Sequence, residues 1–384
     1  MTLFRVLSGM LALMFLTLGP LGCTPAEPPA PSPAAAKPAT APTTAGSVGV
    51  GGASASPTVA ATRAAAPPIA QATASPTRMA TPSPTVVRAG GTLFERNTMF
   101  TVYGVAFDTA PILGILGQYK DFDHMARESE KYVKAIDANN GDKGVITAIH
   151  LIYGMAIPCD PGDDCLLYTE GRDIDLVKEY IEPAAKRGWH VILDTQLGMS
   201  DPVTQVKRMI DKGYLKYENV HVALDPEFRA RPGQKLPGIP IGTVDASEIN
   251  AVQKMVDEHA AANGLRSRKM VMVHQFGDPN VNDGVPFMIG NKKTLDTSFK
   301  NVDLVIDADG FGGPDSKINK YNLMTDAEVY PMLKYRAIKI FYPNRWEQAG
   351  HHDTPPMEYD VVFGHKESPG GTRMKWMPDV IVIA

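Results

Sequence analysis

The chain has 384 residues, among them 34 Gly, 32 Pro and 3 Cys, and a formal charge of −4. Thirteen of the prolines lie in residues 24–90. The charged side chains of that segment and Arg5 together carry +4, so the rest of the chain carries −8. An acidic globular part argues against a nucleic-acid-binding protein. No apolar run after residue 22 approaches the roughly 18 residues of a membrane span, which predicts a soluble globular part.

The N-terminus is typical of an export signal. Arg5 precedes an apolar run over residues 6–18, and the small residue Gly22 stands directly before Cys23. This arrangement resembles a bacterial lipoprotein signal, which implies removal of residues 1–22 and attachment of a lipid anchor to Cys23. Pro20 stands where such signals usually carry Leu, and an ordinary secretory signal is the alternative. Either signal predicts an extracytoplasmic protein, and the lipid would hold it at the bacterial membrane.

Residues 23–90 are predicted to be a disordered tether, because Ala, Pro, Ser and Thr dominate them and no hydrophobic pattern could build a core. A coil of this length spans on the order of 45 Å. The globular domain is therefore expected over residues 91–384.

Two further cysteines, Cys159 and Cys165, flank a short loop that is rich in turn-forming residues. In an oxidising compartment this spacing favours a disulfide. A pair of metal-bound thiolates is the alternative, but no other cysteine follows residue 23 to complete such a site.

Eight short runs rich in β-branched residues recur through residues 91–384, with helical or loop segments between them. They are Phe100–Phe107, Val145–Tyr153, His190–Asp194, Val220–Asp225, Met270–His274, Val302–Asp307, Ala337–Phe341 and Val380–Ile383. Alternating strands and helices predict parallel strands with right-handed crossovers, and eight of them favour a (β/α)8 TIM-like barrel. An open doubly wound α/β sheet is the alternative, because residues 278–297 and 344–377 resemble loops and no helix follows the last strand.

Helix start signals support the barrel. Ser200-Asp201-Pro202 predicts a cap and an N1 proline before a helix over 203–212. Residues 245–248 resemble a capping box before a helix over 249–262, and residues 325–328 repeat that pattern. A fourth helix is predicted over 172–187, closed by a glycine.

Polar residues close five consecutive predicted strands, at the barrel end where active sites of this fold lie. They are Asp194, Gln196, Asp225, Glu227, His274, Gln275, Asp307, Asp309 and Asn344. Each single carboxylate could instead cap the following helix. Side chains alternate along a strand, so if Val222 and Leu224 face the helices, Asp225 and Glu227 face the barrel mouth.

The same alternation on strands three and six predicts that five carboxylates converge on one cavity: Asp194, Asp225, Glu227, Asp307 and Asp309. Neighbouring carboxylates raise one another's pKa, which can place a protonated acid beside an ionised base. On strand seven, Lys339 is predicted to point inward and to pair with Asp303 or Asp307.

Two chemistries fit a barrel lined with carboxylates. Glycoside hydrolysis needs an acid and a second carboxylate, and aromatic residues that could stack on sugar rings favour it. These are Tyr103, Tyr153, Phe228, Phe311, Tyr342 and Trp346. Metal-dependent hydrolysis would use the same oxygens, with His274 and residues 351–353, as ligands of a divalent ion, although a solvated surface is the default for that loop. The sequence has no nucleophile elbow, phosphate-binding Gly loop, Rossmann pattern or zincin motif.

The tripeptide Asp225-Pro226-Glu227 resembles the end of the motif of chitinase-type glycosidases and the Asp-x-Glu of barrel-fold muramidases. The resemblance implies that Glu227 is the proton donor and Asp225 the assisting carboxylate. The longer acidic motif of chitinases is missing, since His221 and Ala223 stand where it has Asp. Residues 224–228 together with 307–312 are similar to a group of exported bacterial surface lipoproteins without an assigned activity.

The sequence therefore predicts a surface lipoprotein that hydrolyses or binds a polysaccharide or cell-wall glycan and needs no cofactor. Glu227, Asp225, Asp307 and Asp309 are the predicted catalytic residues. The predicted substrate-binding residues are Asp194, Gln196, His274, Gln275, Tyr153, Asn344 and Trp346. A non-catalytic glycan-binding protein and a hydrolase or phosphodiesterase that depends on a divalent metal are the alternatives.

Overall fold

The computed structural model describes residues 91–106, 114–158, 163–231, 233–234, 237–276, 288–343 and 352–384. Cys23 and the rest of the predicted signal and tether lie outside these ranges, as do Cys159, Asn344 and Trp346. Within them, no helix combines the length and apolar character that crossing a membrane requires.

Eight parallel strands form the centre of the molecule. They are β1 (Asn97–Gly104), β2 (Gly144–Ala156), β3 (His190–Thr195), β4 (Val220–Leu224), β5 (Lys269–Gln275), β6 (Val302–Ala308), β7 (Tyr335–Ile340) and β8 (Val380–Ile383). Each pairs with the next in chain order, and β1 pairs with both β2 and β8. The sheet is therefore closed, which confirms the predicted (β/α)8 TIM-like barrel and makes the open-sheet alternative wrong.

Helices of unequal length follow the strands. They are α1 (Phe122–Asp137), α2 (Glu182–Lys186, continuing a π-helical turn at Val177–Ile181), α3 (Pro202–Asp211), α4 (Ala246–Ala262), α5 (Pro314–Met324) and α6 (Tyr359–Val362). Between β5 and β6 the described residues contain a short strand, Ile289–Gly290, and one 3-10 turn, Lys292–Thr294. The short strand pairs with Val244–Asp245, and another, Leu166–Tyr168, adds antiparallel to β2.

The predicted start signals hold for two helices. The carboxylate of Asp201 accepts the backbone N–H of Thr204 at the start of α3, with Pro202 in the first turn. At α4 the capping box is complete, because Asp245 accepts from Ser247 and Glu248 accepts from the Asp245 backbone N–H.

Of the other two helix predictions, one is wrong and one is wrong in its starting point. Residues 325–328 start no helix: Thr325 ends α5, and its hydroxyl donates to the carbonyl of Tyr321. The helix predicted over 172–187 begins later, because Asp173 adopts a left-handed backbone with φ of 59° that interrupts it. A short polar side chain tolerates that conformation, which therefore breaks the helix without a glycine.

We expect Asp245→Ala to lower the free energy of unfolding by about 1 kcal/mol, because it removes the side-chain acceptor at the start of α4. Urea unfolding measures the change. Asp142→Ala, at an exposed turn position, is the matched control and should leave the midpoint unchanged. Equal effects of the two variants would mean that the cap does not hold this helix.

Apolar side chains fill two layers on either side of the barrel wall. Val222, Leu224, Leu304 and Ile306 pack outward against the helices, in the larger core. A second core lies inside the barrel and contains Met99, Ile146, Ile192, Ala223, Met270, Met272, Val305 and Val382. The predicted alternation on strands three, four and six is therefore confirmed, and the apolar interior gives way to polar groups toward the carboxyl ends of the strands.

Candidate functional site

The carboxyl ends of β3 to β6 bring a group of ionisable side chains into the barrel. Asp194, His274 and Asp307 are fully buried, Asp225 is 1% exposed and Asp309 is 5% exposed. Glu227, in the 3-10 turn after β4, is partly exposed. Of the predicted catalytic residues, Glu227 is thus the most accessible to a solute.

His274 lies at the centre of this group. Its Nε2 is 3.1 Å from Oδ2 of Asp194, and its Nδ1 is 2.9 Å from Oδ2 of Asp307 and 3.2 Å from Oδ2 of Asp309. Burial would lower the pKa of His274, but the charge of Asp194 and the contacts with Asp194 and Asp307 raise it well above its usual value. His274 therefore joins the carboxylates of β3 and β6 across the barrel.

Lys339 on β7 supplies the ammonium of the site. It points inward as predicted, but its partner is Asp309, with Nζ 2.8 Å from Oδ2, rather than Asp303 or Asp307. Asp303 lies at the other end of β6, where Arg268 Nε donates to it over 2.8 Å. The ammonium also lies 3.6 Å from the centre of the Tyr103 ring, a cation–π contact.

One inward residue was missing from the predicted site, and it packs against one of the predicted rim aromatics. His150 on β2 is fully buried, and its Nε2 lies 3.3 Å from Oδ2 of Asp194. Tyr103 on β1 packs edge-on against His150 with ring centres 5.0 Å apart. Alternation could have found His150, because its neighbours Ile149 and Leu151 face the helices.

Burial and charge divide the carboxylates into two kinds. Burial alone would raise the pKa of Asp194 and of Asp309. The contacts of Asp194 with His274 and His150 hold its pKa below the usual range. Lys339 and His274 do the same for Asp309. Burial, opposed in part by His274, raises the pKa of Asp225 to about 7. Burial and the charges of Asp225 and Asp309 raise the pKa of Glu227 well above its usual value. Two acids with raised pKa thus lie near two carboxylates with lowered pKa.

Three other predicted site residues lie in different places. Gln196 is buried near the mouth and accepts the backbone N–H of Ala156 through Oε1 over 2.9 Å. The hydroxyl of Tyr153 contacts Glu170 and Arg208 on the helix side of β2. Gln275 accepts from the Tyr330 hydroxyl, also on the helix side.

Tyr153 and Gln275 are therefore not brought to the barrel mouth. Tyr153 has the same parity as the outward residues of β2, and Gln275 follows the inward His274 by one position. A one-residue step along a strand reverses the side-chain direction.

Asp353, expected in a solvated loop, is fully buried. It accepts the backbone N–H groups of Gly312 and Phe341 and lies 3.5 Å from Nζ of Lys317 on α5. The ion pair ties the loop before α6 to α5, and the hydrogen bond from Gly312 ties it to the segment after β6. Asp353 therefore supports the mouth from outside, and His351 lies outside the described residues.

Aromatic side chains stand beside the carboxylates. Phe311 is 37% exposed and packs edge-on against Phe341, with ring centres 5.8 Å apart. Lys339 lies 5.3 Å from the Phe341 ring, so this aromatic pair borders the charged group. The predicted rim residues Asn344 and Trp346 follow Phe341 in the chain but lie outside the described residues.

Cys165 is buried directly before the short strand Leu166–Tyr168. Because Cys159 falls in a gap of the described residues, the disulfide between them stays a prediction.

No protein-family model matches the chain, and no curated protein matches it.

Proposed function

We propose that this protein hydrolyses an extracytoplasmic glycan at the barrel mouth, with Glu227 as general acid and an ionised carboxylate as its partner. The observation that carries the proposal is the position of Glu227: partly exposed after β4, with a raised pKa, beside carboxylates that stay charged. Glycoside hydrolysis requires this combination of one protonated and one ionised carboxyl group.

Asp309 is the partner that its surroundings favour. Its ion pair with Lys339 holds it as a carboxylate close to the mouth. Asp225 lies deeper and accepts the Glu227 backbone N–H through Oδ1 over 3.3 Å, so it orients the turn that carries the acid. We assign Asp225 the assisting role and Asp307, which contacts His274, a positioning role.

A sugar ring is the substrate that suits the border of the site. The exposed ring of Phe311 offers a stacking face. The Lys339–Asp309 ion pair lies beside its neighbour Phe341 and could hydrogen-bond sugar hydroxyls. Aromatic faces bind the apolar faces of sugars by dispersion and burial of surface. The export signal inferred from residues 1–23 would place the domain where polysaccharides and cell-wall glycans occur, with a lipid on Cys23 as its membrane anchor.

The test is Glu227→Gln, assayed by release of reducing ends from a panel of bacterial polysaccharides and peptidoglycan. We expect turnover to fall by about 10²–10⁴-fold, because the amide has no proton to donate to the leaving oxygen. The unfolding midpoint should not fall, because the raised pKa of Glu227 means that the folded protein favours a neutral side chain at this position.

Glu367→Gln, at an exposed surface position, is the matched control and should retain wild-type turnover. Unchanged turnover in Glu227→Gln would remove this residue from the acid role. Glycan binding without turnover in the wild type, retained when both Asp225 and Glu227 become amides, would identify a non-catalytic binding protein.

A further inference from the structure

We propose that His150, Asp194 and His274 form a binding site for a divalent transition metal of the Zn²⁺ type, below the carboxylates of the mouth. This site goes beyond the proposed glycan hydrolysis and does not depend on it. The potential ligand atoms of the three residues all lie within 4.8 Å of one another, and all three side chains are fully buried.

The distances between the donor atoms fit such an ion. Oδ2 of Asp194 lies 3.3 Å from Nε2 of His150 and 3.1 Å from Nε2 of His274. A tetrahedral Zn²⁺ with bonds of about 2.0–2.1 Å separates its ligand atoms by about 3.4 Å. Two imidazoles and one carboxylate are also a common ligand set of zinc sites that keep a fourth position open.

Unpartnered polar atoms are the second, independent observation. Neither nitrogen of His150 makes a hydrogen bond with the described residues, and neither does Oδ1 of Asp194. The approach of His150 to Asp194 lacks the direction of a hydrogen bond despite its distance. Buried polar atoms without partners are costly, and a cation between these side chains would remove part of that cost.

The surroundings of His274 fit a metal ligand as well. The far side of its ring, at Nδ1, faces the carboxylates of Asp307 and Asp309. Metal-binding histidines usually donate their second N–H to a carboxylate, which fixes the tautomer and leaves the other nitrogen free for the metal. In the structure Nε2 forms a hydrogen bond with Oδ2 of Asp194 over 3.1 Å, whereas Nδ1 lies near both carboxylates without a directed hydrogen bond. A cation bound at Nε2 would replace that hydrogen bond, and the remaining proton would lie on Nδ1, facing Asp307 and Asp309.

Charge selects this triad over its neighbour. His274, Asp307 and Asp309 also cluster closely enough to hold an ion, but Nζ of Lys339 already lies 2.8 Å from Asp309 and would repel one. His150 and Asp194 form no such ion pair with a lysine or arginine among the described residues. A cation therefore gains more at His150, Asp194 and His274.

The experiment titrates the full chain, first stripped with EDTA, with Zn²⁺ and then with Co²⁺. We expect one Zn²⁺ per chain at micromolar affinity or tighter, a rise in Tm on binding, and visible Co²⁺ bands typical of low-coordinate nitrogen and oxygen ligands. His150→Gln should weaken binding by about 100-fold or more and abolish the rise in Tm. His259→Gln, a partly exposed histidine on α4, should bind as the wild type does.

Failure of the wild type to bind Zn²⁺ or Co²⁺ stoichiometrically would overturn the proposal, as would wild-type affinity in His150→Gln. Asp194→Asn is the second variant if His150→Gln does not fold, and it should lose the Co²⁺ bands. Glu227→Gln should keep the metal, so a failed metal titration and a failed hydrolysis assay remain separate results.

Discussion

Lys339→Met is expected to lower the free energy of unfolding by about 3–5 kcal/mol at neutral pH. Methionine keeps much of the length and volume of lysine but leaves the carboxylate of Asp309 buried without its ammonium partner. Lys339 and Asp309 are only 3% and 5% exposed, and their charged atoms are 2.8 Å apart. Removing one member of a buried ion pair costs far more than removing an exposed pair, because the remaining charge cannot return to water.

The matched control is Lys366→Met, which breaks an exposed contact of 3.4 Å with Glu358. That change should stay within about 1 kcal/mol of the wild type. The double variant Lys339→Met/Asp309→Asn should recover most of the lost stability, because no buried charge is left unpaired. If Lys339→Met unfolds at the wild-type urea concentration, Asp309 does not carry a charge in the folded protein.

The importance of Lys339 follows from the charge balance inside the barrel. Five carboxyl groups enter the interior from β3, β4 and β6, and Lys339 and His274 are the cationic partners that contact them. His150 also contacts Asp194, but burial lowers its pKa. Protons on Asp225 and Glu227 would remove two negative charges. A divalent cation at Asp194 would displace one proton from His274 and so add one net positive charge. Protonation of the proposed acid and binding of the proposed metal would therefore both reduce the negative charge inside the barrel, the first at the mouth and the second at Asp194.

Alternation of side chains explains how much of this site the sequence could predict. Asp194, Asp225, Asp307 and Lys339 were placed inside the barrel because bulky β-branched neighbours had to face the helices, and the structure confirms each direction. Closure of the barrel was predictable from the count of strands. Both inferences depend on local geometry that every strand obeys.

The wrong predictions concern features that residue spacing along the chain does not determine. No helix was predicted over residues 314–324, where α5 lies, because the buried Lys317, which donates to the backbone carbonyl oxygen of Gly310, interrupts the apolar pattern. The parallel register of β7 and β6 pairs Ala337 with Asp307, which places Lys339 beside Asp309 rather than Asp307. Long-range packing of this kind leaves no signal in residue spacing.

The stability of the protein should depend on pH in opposite ways through Asp225 and Asp309. Asp225 is 1% exposed, and its pKa rises from 3.8 to about 7 on folding. A folded state that holds its proton more tightly gains stability at low pH and loses it as pH rises from about 4 to 7. Asp225→Asn, which mimics the protonated form, should therefore become more stable relative to the wild type over this interval, by on the order of 4 kcal/mol.

Asp309→Asn is the comparison with opposite sign. Because its neighbours lower the pKa of Asp309, the wild-type carboxylate contributes stability above the unfolded pKa of 3.8 and loses it as pH falls through the lower folded pKa. That variant should be less stable than the wild type at neutral pH, with a difference that shrinks in acid. Urea unfolding of both variants and the wild type from about pH 2 to pH 8 measures the two effects. The Asp225→Asn difference should grow between about pH 4 and 7, whereas the Asp309→Asn difference should shrink only below the unfolded pKa of 3.8. If the free energy of unfolding changes with pH equally in Asp225→Asn and the wild type, Asp225 is already ionised in the folded protein. Glu227 would then be the one carboxyl group of the mouth with a raised pKa.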